Sequence, residues 1–600
     1  MPDNKNFFLA IALSIVVLIA WQYFFAGPQI EKAKQQQAIE QATEAAKTAG
    51  GDTANLPAAG STATAPGGAE ATATLTRDAA LAQSPRVAIA TDRLSGSINL
   101  HGGRLDDIRL NDFHETVDAK SPTIVLLSPA GAPEGYFAEF GWIGGSKESP
   151  VPGPDTTWTA PADAKLTTAN PVTLSYDNGA GLLFTRKIAV DDNYLFTVSD
   201  AVENKTGAAV DLTPYGRVAR IGQPKTAGYY ILHEGAIGVF GDQGLKEVTY
   251  KNLDKTPQEE IAKSTKGWLG FTDKYWAAAM VPGEDFTARF ARFEQPGVIY
   301  QADFKGDPVS VAAGGSAKVE NRLFAGAKQV AVLTGYRDKL GIERFDLLID
   351  WGYLYFITKP MFFAIDWLYH LLGNFGLAIL AVTVLVKAAF FPLANKSYKS
   401  MSAMKKVQPQ MAGIRERFKD DKMKQQQALM ELYKKEKINP LAGCWPVALQ
   451  IPVFFSLYKV LFVTIEMRHA PFFGWIKDLS APDPTNLFTL FGMIPWTPPH
   501  LLMLGIWPLI MGVTMFVQMR LNPTPADPAQ QVIFTWMPLI FTFMLASFPA
   551  GLVIYWAWNN TLSVTQQYVI MRRQGVEVNL LGNIVSTFKK PKPKSADVKG

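Results

Sequence analysis

The chain has 600 residues, of which 48% are hydrophobic and 18% are charged, and its formal net charge is +5. This length exceeds one ordinary domain, and the apolar residues are concentrated at the two ends, so a single soluble globular domain is excluded. The only cysteine, Cys444, begins an apolar segment, which excludes disulfides from the rest of the chain. These features predict a membrane protein with a large soluble insert.

The N-terminal region begins with an uncharged apolar run, residues 7–25. This run is longer than the roughly 7 to 15 residues of a signal-peptide core, and no good small-x-small cleavage site follows it. We therefore predict that residues 1–28 form a retained membrane anchor. Residues 29–85 are rich in Ala, Thr, Gln and Gly, with almost no large apolar side chains, which predicts a flexible linker.

Residues 86–340 show short runs of alternating polar and apolar residues, broken by turn signals such as the Asp-Asn-Gly sequence at 177–179. This pattern is typical of antiparallel strands and predicts a β-sandwich. The six histidines of the chain are dispersed and show no metal-ligand spacing. The glycines of this region do not open a helix as a phosphate loop would. We expect a binding or scaffolding module that is not an enzyme and contains no metal or cofactor.

Residues 344–372 are apolar and aromatic but are interrupted by several charged residues. The charges exclude a full membrane span, whereas Trp and Tyr side chains suit the headgroup boundary. We predict an interfacial amphipathic helix.

The next segment, Gly373–Pro392, is apolar for 20 residues and carries one charge, Lys387. At about 1.5 Å per residue a helix of this length spans roughly 30 Å, the thickness of the hydrocarbon core. Lysines inside a span usually face a bundle interior or a wet cavity. The alternative is that Lys387 extends its ammonium to the headgroups along its flexible stem. The later predicted spans contain no Asp or Glu to pair with it, which favours a cavity.

The remaining chain alternates basic stretches with apolar ones. Residues 394–439 hold 12 Lys/Arg against 5 Asp/Glu and have the apolar spacing of two amphipathic helices, and the tail 571–600 holds 7 against 2. Because basic segments face the cytoplasm, both regions are predicted to be cytoplasmic. Further spans are predicted at residues 441–463, 501–521, 532–548 and 552–570, the first of them begun by Asn439 as N-cap and Pro440. Residues 373–570 then form a five-span core.

The predicted fold is therefore a six-span α-helical bundle, with one N-terminal anchor and five core spans. A large extracytoplasmic antiparallel β-sandwich lies between the anchor and the core, and a cytoplasmic helical hairpin follows Lys387. Both termini are predicted to be cytoplasmic.

Three stretches resemble the YidC family, the membrane protein insertases of Gram-negative bacteria, which are related to mitochondrial and chloroplast insertases. They are FFPLANKSYKSMSAMKKVQPQM at 390–411, INPLAGCWPVALQIPVFFSLYKVL at 438–461 and FPAGLVIYWAWNN at 548–560. The resemblance extends over the whole predicted architecture. It implies location in the inner membrane, with the β domain in the periplasm, and a hydrophilic groove that is open to the cytoplasm and to lipid.

The resemblance also implies functional residues. The family carries one cation in its second span, usually Arg, and the matching position here is Lys387. The charge is kept, but the bidentate guanidinium geometry is lost. The groove and substrate-contact positions of the family correspond by motif to Thr383, Gln450, Tyr555 and Trp556, and Asn560 is expected to line the same path.

The partners that the resemblance implies are nascent membrane proteins, the Sec translocon, membrane lipid, and ribosomes and signal-recognition targeting factors that meet the hairpin and tail. No specific nucleic-acid recognition is expected. Two other classes of protein are alternatives to an insertase. A proton-coupled transporter would show an intramembrane carboxylate or an internal repeat, and the sequence has neither. An assembly chaperone without autonomous insertase activity has the same pattern and stays open.

Overall fold

The computed structural model describes residues 75–575 apart from 145–149, 228–230, 295–296, 420, 437–444, 490–493, 495–502 and 522–527. The predicted anchor 1–28, most of the predicted linker and nearly all of the basic tail lie outside these residues. The proposed N-cap Asn439 also lies outside them.

The region from 86 to 327 folds into two sheets. The larger sheet has eleven strands, β1 (Arg86–Ala90), β2 (Leu94–Asn99), β3 (Arg104–His114), β4 (Thr123–Leu127), β5 (Tyr136–Gly144), β6 (Lys165–Leu166), β10 (Val210–Ile221), β13 (Gln258–Ser264), β16 (Phe286–Phe293), β17 (Ile299–Gly306) and β18 (Val309–Val311). Its main strand order is β13-β16-β17-β10-β5-β3-β2-β1-β6. Apart from β1 with β6, the paired strands are antiparallel.

The smaller sheet has eight strands, β7 (Val172–Asp177), β8 (Leu182–Val190), β9 (Leu195–Asn204), β11 (Gly235–Phe240), β12 (Leu245–Thr249), β14 (Gly267–Thr272), β15 (Trp276–Val281) and β19 (Ser316–Ala327). It is antiparallel throughout and follows the order β12-β11-β14-β15-β19-β9-β8-β7. Both sheets contribute side chains to one hydrophobic core.

The sequence pattern explains this arrangement directly. Along β8 every second side chain is buried, which is the alternation that one face of a sheet requires. The predicted turn after Asp177 is present: the Asp177 carboxylate accepts a hydrogen bond from the backbone N–H of Gly179 at 2.9 Å, and Gly179 has a φ of +68°. The prediction of a domain rich in antiparallel strands is confirmed.

Two boundaries of this domain differ from the prediction. Residues Arg77–Leu81 form a short helix, α1, and Arg77 forms an ion pair with the largely buried Asp107, so the end of the predicted linker belongs to the domain. On the C-terminal side, Phe345 packs edge-to-face on Trp268 at 5.5 Å and is fully buried. The first part of the predicted interfacial helix is therefore core of the β domain, because its apolar residues find partners there.

Two more helices accompany the sheets, α2 (Tyr250–Lys255) and α3 (Val330–Leu340). The helices of the C-terminal half are α4 (Tyr355–Leu372), α5 (Phe375–Ala389), α6 (Phe391–Arg417), α7 (Lys422–Lys435), α8 (Trp445–Val463), α9 (Ile506–Leu521), α10 (Pro528–Leu545) and α11 (Ala550–Arg573). The predicted spans differ from these helices at their ends, most clearly at α9, which begins five residues after Leu501.

The predicted span Gly373–Pro392 is shorter in the structure, where α5 covers Phe375–Ala389. Gly373 ends α4 with a φ of +67°, and the Asn374 side chain caps α5 by accepting from the backbone N–H of Leu377. The helix then breaks at Phe390, two residues before Pro392, and α6 leaves at a bend of 67°. Pro392 has no backbone N–H to donate to the Ala388 carbonyl and its ring would clash with that carbonyl, so α5 cannot continue through it, whereas proline is tolerated in the first turn of the new helix α6.

The lengths of these helices bear on membrane crossing. Of the helices that the structure describes, no single one is both long and apolar enough to cross a membrane, although α5 and α6 reach this length and apolarity as a bent pair. Shorter apolar helices cover Gln450–Val463, Ile506–Leu521 and Phe534–Leu545.

The helices α6 and α7 form a hairpin. They pack through Val407, Met411 and Leu432, on the apolar spacing that the sequence shows. Pro409 and Gly413 do not interrupt α6, which is continuous to Arg417.

Candidate functional site

A cavity lies among α4, α5, α6, α8 and α11. It offers about 60 Å³ to water, which is enough for a few molecules at roughly 10 to 15 Å³ each. The residues that line it are mostly apolar with a small polar group: Met361, Val382, Thr383, Val386, Lys387, Phe390, Leu393, Ala394, Tyr398, Gln450, Val453, Leu457, Tyr555, Asn559 and Gln566.

Lys387 occupies the last turn of α5, where the negative end of the helix dipole favours a cation. Its Nζ donates a hydrogen bond to Ser563 Oγ of α11 at 2.7 Å, so the ammonium points into the bundle. Ser563 Oγ donates in turn to the Asn559 carbonyl at 2.8 Å, and the Tyr398 hydroxyl also hydrogen-bonds Ser563. Two helices therefore fix the position of the ammonium.

Three other predicted site residues line the same cavity. The Thr383 hydroxyl donates to the Ile379 carbonyl one turn earlier at 2.6 Å, which is how a helix satisfies a hydroxyl in apolar surroundings. The Tyr555 hydroxyl and the Gln450 amide share a hydrogen bond between α11 and α8. Thr383, Gln450 and Tyr555 are thus brought together with Lys387.

Trp556 and Asn560 do not line this cavity. Trp556 packs on Phe454, with ring centroids 4.4 Å apart, and also contacts Phe541 of α10. Asn560 is buried and its Nδ2 lies 3.4 Å from Thr514 Oγ1 of α9. The reason is helical geometry: residues 556 and 560 lie one position, about 100°, around α11 from residues 555 and 559.

The cavity lining contains a positive charge, Lys387, and no negative charge. None of its lining residues is acidic, and α5, α8, α9, α10 and α11 contain no Asp or Glu at all. The hydroxyl of Ser563 therefore solvates the ammonium without neutralising it. A cation held in this way attracts water and anionic groups that enter the cavity.

The C-terminal part of α8 is joined to the β domain through charged groups. Lys459 Nζ lies 2.7 Å from Asp350 Oδ2 and also donates to the Ile231 carbonyl, and the backbone N–H of His233 donates to the same carboxylate at 2.9 Å. Burial disfavours the charged form of Asp350, but the Lys459 ammonium outweighs it and lowers the pKa of this carboxyl. These contacts link Lys459 of α8 to Asp350 and to the backbone of Ile231 and His233.

Just beyond α8, Glu466 reaches the start of α3. Its Oε1 accepts from the backbone N–H of Val330 at 2.7 Å, at a helix start that has no side-chain cap of its own. Burial raises the pKa of Glu466 to about 7. Nearby, Arg468 donates to the His114 carbonyl at 2.6 Å. The β domain is thus in direct contact with the segment that follows α8.

Comparison with known proteins decides the family. The YidC periplasmic domain family matches residues 86–364, and the 60Kd inner membrane protein family matches residues 367–577. The membrane protein insertase YidC of Mesorhizobium japonicum is 59% identical over 605 residues and covers 100% of both chains. That of Brucella suis is 57% identical over 610 residues, again over 100% of both.

The chain belongs to the YidC family of membrane protein insertases. Its β domain is the YidC periplasmic domain, and its helical half is the inner membrane part. Among solved structures, an active YidC insertase with its first transmembrane domain resolved shares 18% identity, with 81% of this chain and 93% of that chain covered, at a TM-score of 0.35.

The sequence pattern did not lead us to three polar residues that line this YidC cavity, Tyr398, Asn559 and Gln566, or to Ser563, which holds the Lys387 ammonium. The signal for three of them was available: positions 555, 559, 563 and 566 follow a spacing of 4, 4 and 3, which places them on one face of a helix. Lys459 was also missed, although it is the only other Lys within an apolar stretch predicted to span. In the part of the chain that the structure describes, no group of three His, Cys, Asp or Glu side chains could hold a metal ion.

Proposed function

We propose that this protein inserts membrane proteins by offering their polar segments a site at Lys387 inside the helical bundle. The observation that carries the proposal is the cavity among α5, α8 and α11, in which an ammonium is held by Ser563 with no acidic residue in its lining. Thr383, Gln450 and Tyr555 supply the neighbouring polar groups.

The proposed mechanism needs no covalent step and no cofactor. Acidic residues of a short translocating tail pair transiently with Lys387, because the alternative is an ion in hydrocarbon. Water around the ammonium shortens the apolar path that the tail has to cross. The apolar segment of the substrate then leaves sideways into lipid, and burying about twenty apolar residues supplies the driving force.

The proposal includes a topology and partners. Six spans place both termini and the α6–α7 hairpin in the cytoplasm, where residues 394–439 and the tail 571–600 are rich in Lys and Arg. Nascent chains, ribosomes and signal-recognition targeting factors meet these basic regions, and the Sec translocon is a partner for larger substrates.

The experiment is insertion into liposomes that contain only the purified protein. We expect a short substrate with an acidic tail to become protected from external protease in these vesicles, and to stay accessible in empty ones. If substrates insert only when the Sec translocon is added, the protein is an assembly chaperone and the proposal of autonomous insertion is wrong.

A further inference from the structure

A second and larger cavity adjoins the one described above. It has a volume of about 490 Å³ and lies between the end of α5, the start of α6 and the end of α11. Lys387 and Gln566 line both cavities and so stand between them. The lining residues of the larger one are Val384, Lys387, Ala388, Phe391, Asn395, Lys399, Leu562, Thr565, Gln566, Val569, Ile570, Arg573 and Gln574.

The polar side of this larger cavity is cationic. Three helices contribute one basic residue each: Lys387 from α5, Lys399 from α6 and Arg573 from α11, and no lining residue is acidic. Asn395 and Gln566 add amide groups that can donate hydrogen bonds. An anion that entered would therefore meet cations from three directions.

The preference of helix C-termini for cations explains only some of the basic residues in this cavity. The last turn of α11 is the negative end of its dipole, and Arg572 and Arg573 fit there for that reason alone. Lys406 already donates to the Gln574 carbonyl at 3.0 Å and so satisfies that end directly. Lys399 is the ninth residue of α6 and lies beyond the first turn, where the helix dipole acts, so its position is not explained by helix compensation.

The other side of the cavity is apolar and open. Val384, Phe391 and Val569 line it, and they are 43%, 45% and 42% exposed. Exposed apolar residues beside a cationic pocket suit an amphiphile, with a charged head and hydrocarbon chains. A free phosphate ion would satisfy the cations and leave this apolar wall uncovered.

We propose that the larger cavity binds the headgroup of an anionic phospholipid. The phosphate lies among Lys387, Lys399 and Arg573, and the acyl chains run along Val384, Phe391 and Val569. The lipid site adjoins the substrate path and shares Lys387 with it. This assignment does not depend on the proposed function, because it rests on lipid binding alone.

The test is native mass spectrometry of the full-length protein in detergent, titrated with phosphatidylglycerol or phosphatidylcholine. We expect the wild type to bind phosphatidylglycerol in preference to phosphatidylcholine. Lys399→Glu with Arg573→Glu should weaken phosphatidylglycerol binding at least thirtyfold, which corresponds to about 2 kcal/mol. The matched control is Lys396→Glu with Lys435→Glu, two exposed lysines outside the cavity, which should change binding less than about threefold, or about 0.7 kcal/mol.

A second variant tests the cavity itself without changing its charge. Thr565→Trp places an indole in the space, and we expect it to exclude the lipid while the thermal unfolding temperature in lipid-free detergent stays unchanged. Equal weakening by the two charge-reversal pairs would overturn the proposal, because it would show a general surface charge effect. Competition by inorganic phosphate at the same concentration as the lipid would overturn it in favour of a soluble anion.

Discussion

At the scale of single residues, the position of Lys387 was predictable and its partner was not. An isolated charge in an apolar run is visible in any sequence. The hydrogen bond from Lys387 to Ser563 depends on how α5 packs against α11, and this packing cannot be read from the sequence. Trp556 is predicted by motif and Asn560 as a neighbour on the same path, and the helical period alone separates both from Tyr555 and Asn559.

The first prediction concerns the charge at position 387. Lys387→Arg should support growth when the native protein is depleted, because the positive charge is kept. Lys387→Ala should reduce insertion of substrates with acidic tails roughly fivefold, since an ion pair in contact with water contributes up to about 1 kcal/mol. Insertion of acidic-tail substrates by the Ala variant at the wild-type rate would contradict the prediction.

The second prediction concerns Ser563 as a positioning residue. Ser563→Ala removes the hydroxyl that holds the ammonium, and hydrogen bonds to charged groups contribute about 1.5 to 3 kcal/mol. We expect slower insertion of acidic-tail substrates, unchanged insertion of neutral ones, and recovery with Ser563→Thr. Thr561→Val, on an exposed part of the same helix, is the matched control. A loss that is equal for acidic and neutral tails would indicate a purely structural effect.

At the scale of elements, the type of each segment followed from periodicity, whereas its ends followed from local chemistry. The apolar pattern predicts a span that runs to Pro392, whereas the helix breaks before this proline, at Phe390. The segment after Arg344 was assigned to the membrane surface because it is aromatic. Its first residues instead complete the β domain, a tertiary contact that composition does not encode.

The third prediction concerns Glu466 at the start of α3. Its pKa is raised to about 7 from an ordinary value of about 4.5, so the folded protein binds this proton more tightly than the unfolded chain does. The stabilisation from this group is therefore complete below about pH 4.5 and is lost as the pH rises towards 7. The full effect is at most about 3 kcal/mol.

Glu466→Gln keeps the acceptor for Val330 and removes the titration. We expect the wild type, but not this variant, to lose unfolding temperature between pH 4.5 and pH 7, as followed by tryptophan fluorescence in detergent. Glu343→Gln serves as a control because it also removes one carboxylate. Parallel pH profiles for wild type and Glu466→Gln would contradict the account of this contact.

At the scale of the whole molecule, the order of the regions was readable from the sequence, and the two family matches bear out the insertase assignment and the periplasmic domain. The contact between the β domain and α8 was not foreseen. The long predicted linker suggests that the β domain is independent of the helices. Instead, the side chains of Lys459, Glu466 and Arg468 hold the β domain, and these contacts cannot be read from the sequence.

The fourth prediction concerns the role of that domain. Deleting residues 86–320 should leave insertion intact, because the proposed site lies in the helical half. The deletion removes the Ile231 and His114 carbonyls, so we expect a lower unfolding temperature for the remaining bundle. A deletion protein that reconstitutes into lipid normally but inserts no substrate would show that the activity needs the domain.

The central claim is that substrates pass along the cavity beside Lys387, and site-specific photocrosslinking to stalled nascent chains tests it most directly. Probes at positions 383 and 450 line that cavity, whereas a probe at Ile540 lies on an exposed face of α10 and one at Leu509 lies on α9. The account predicts strong capture from 383 and 450 and weak capture from 509 and 540. Capture that is equal at all four positions, or absent at 383 and 450, would contradict it.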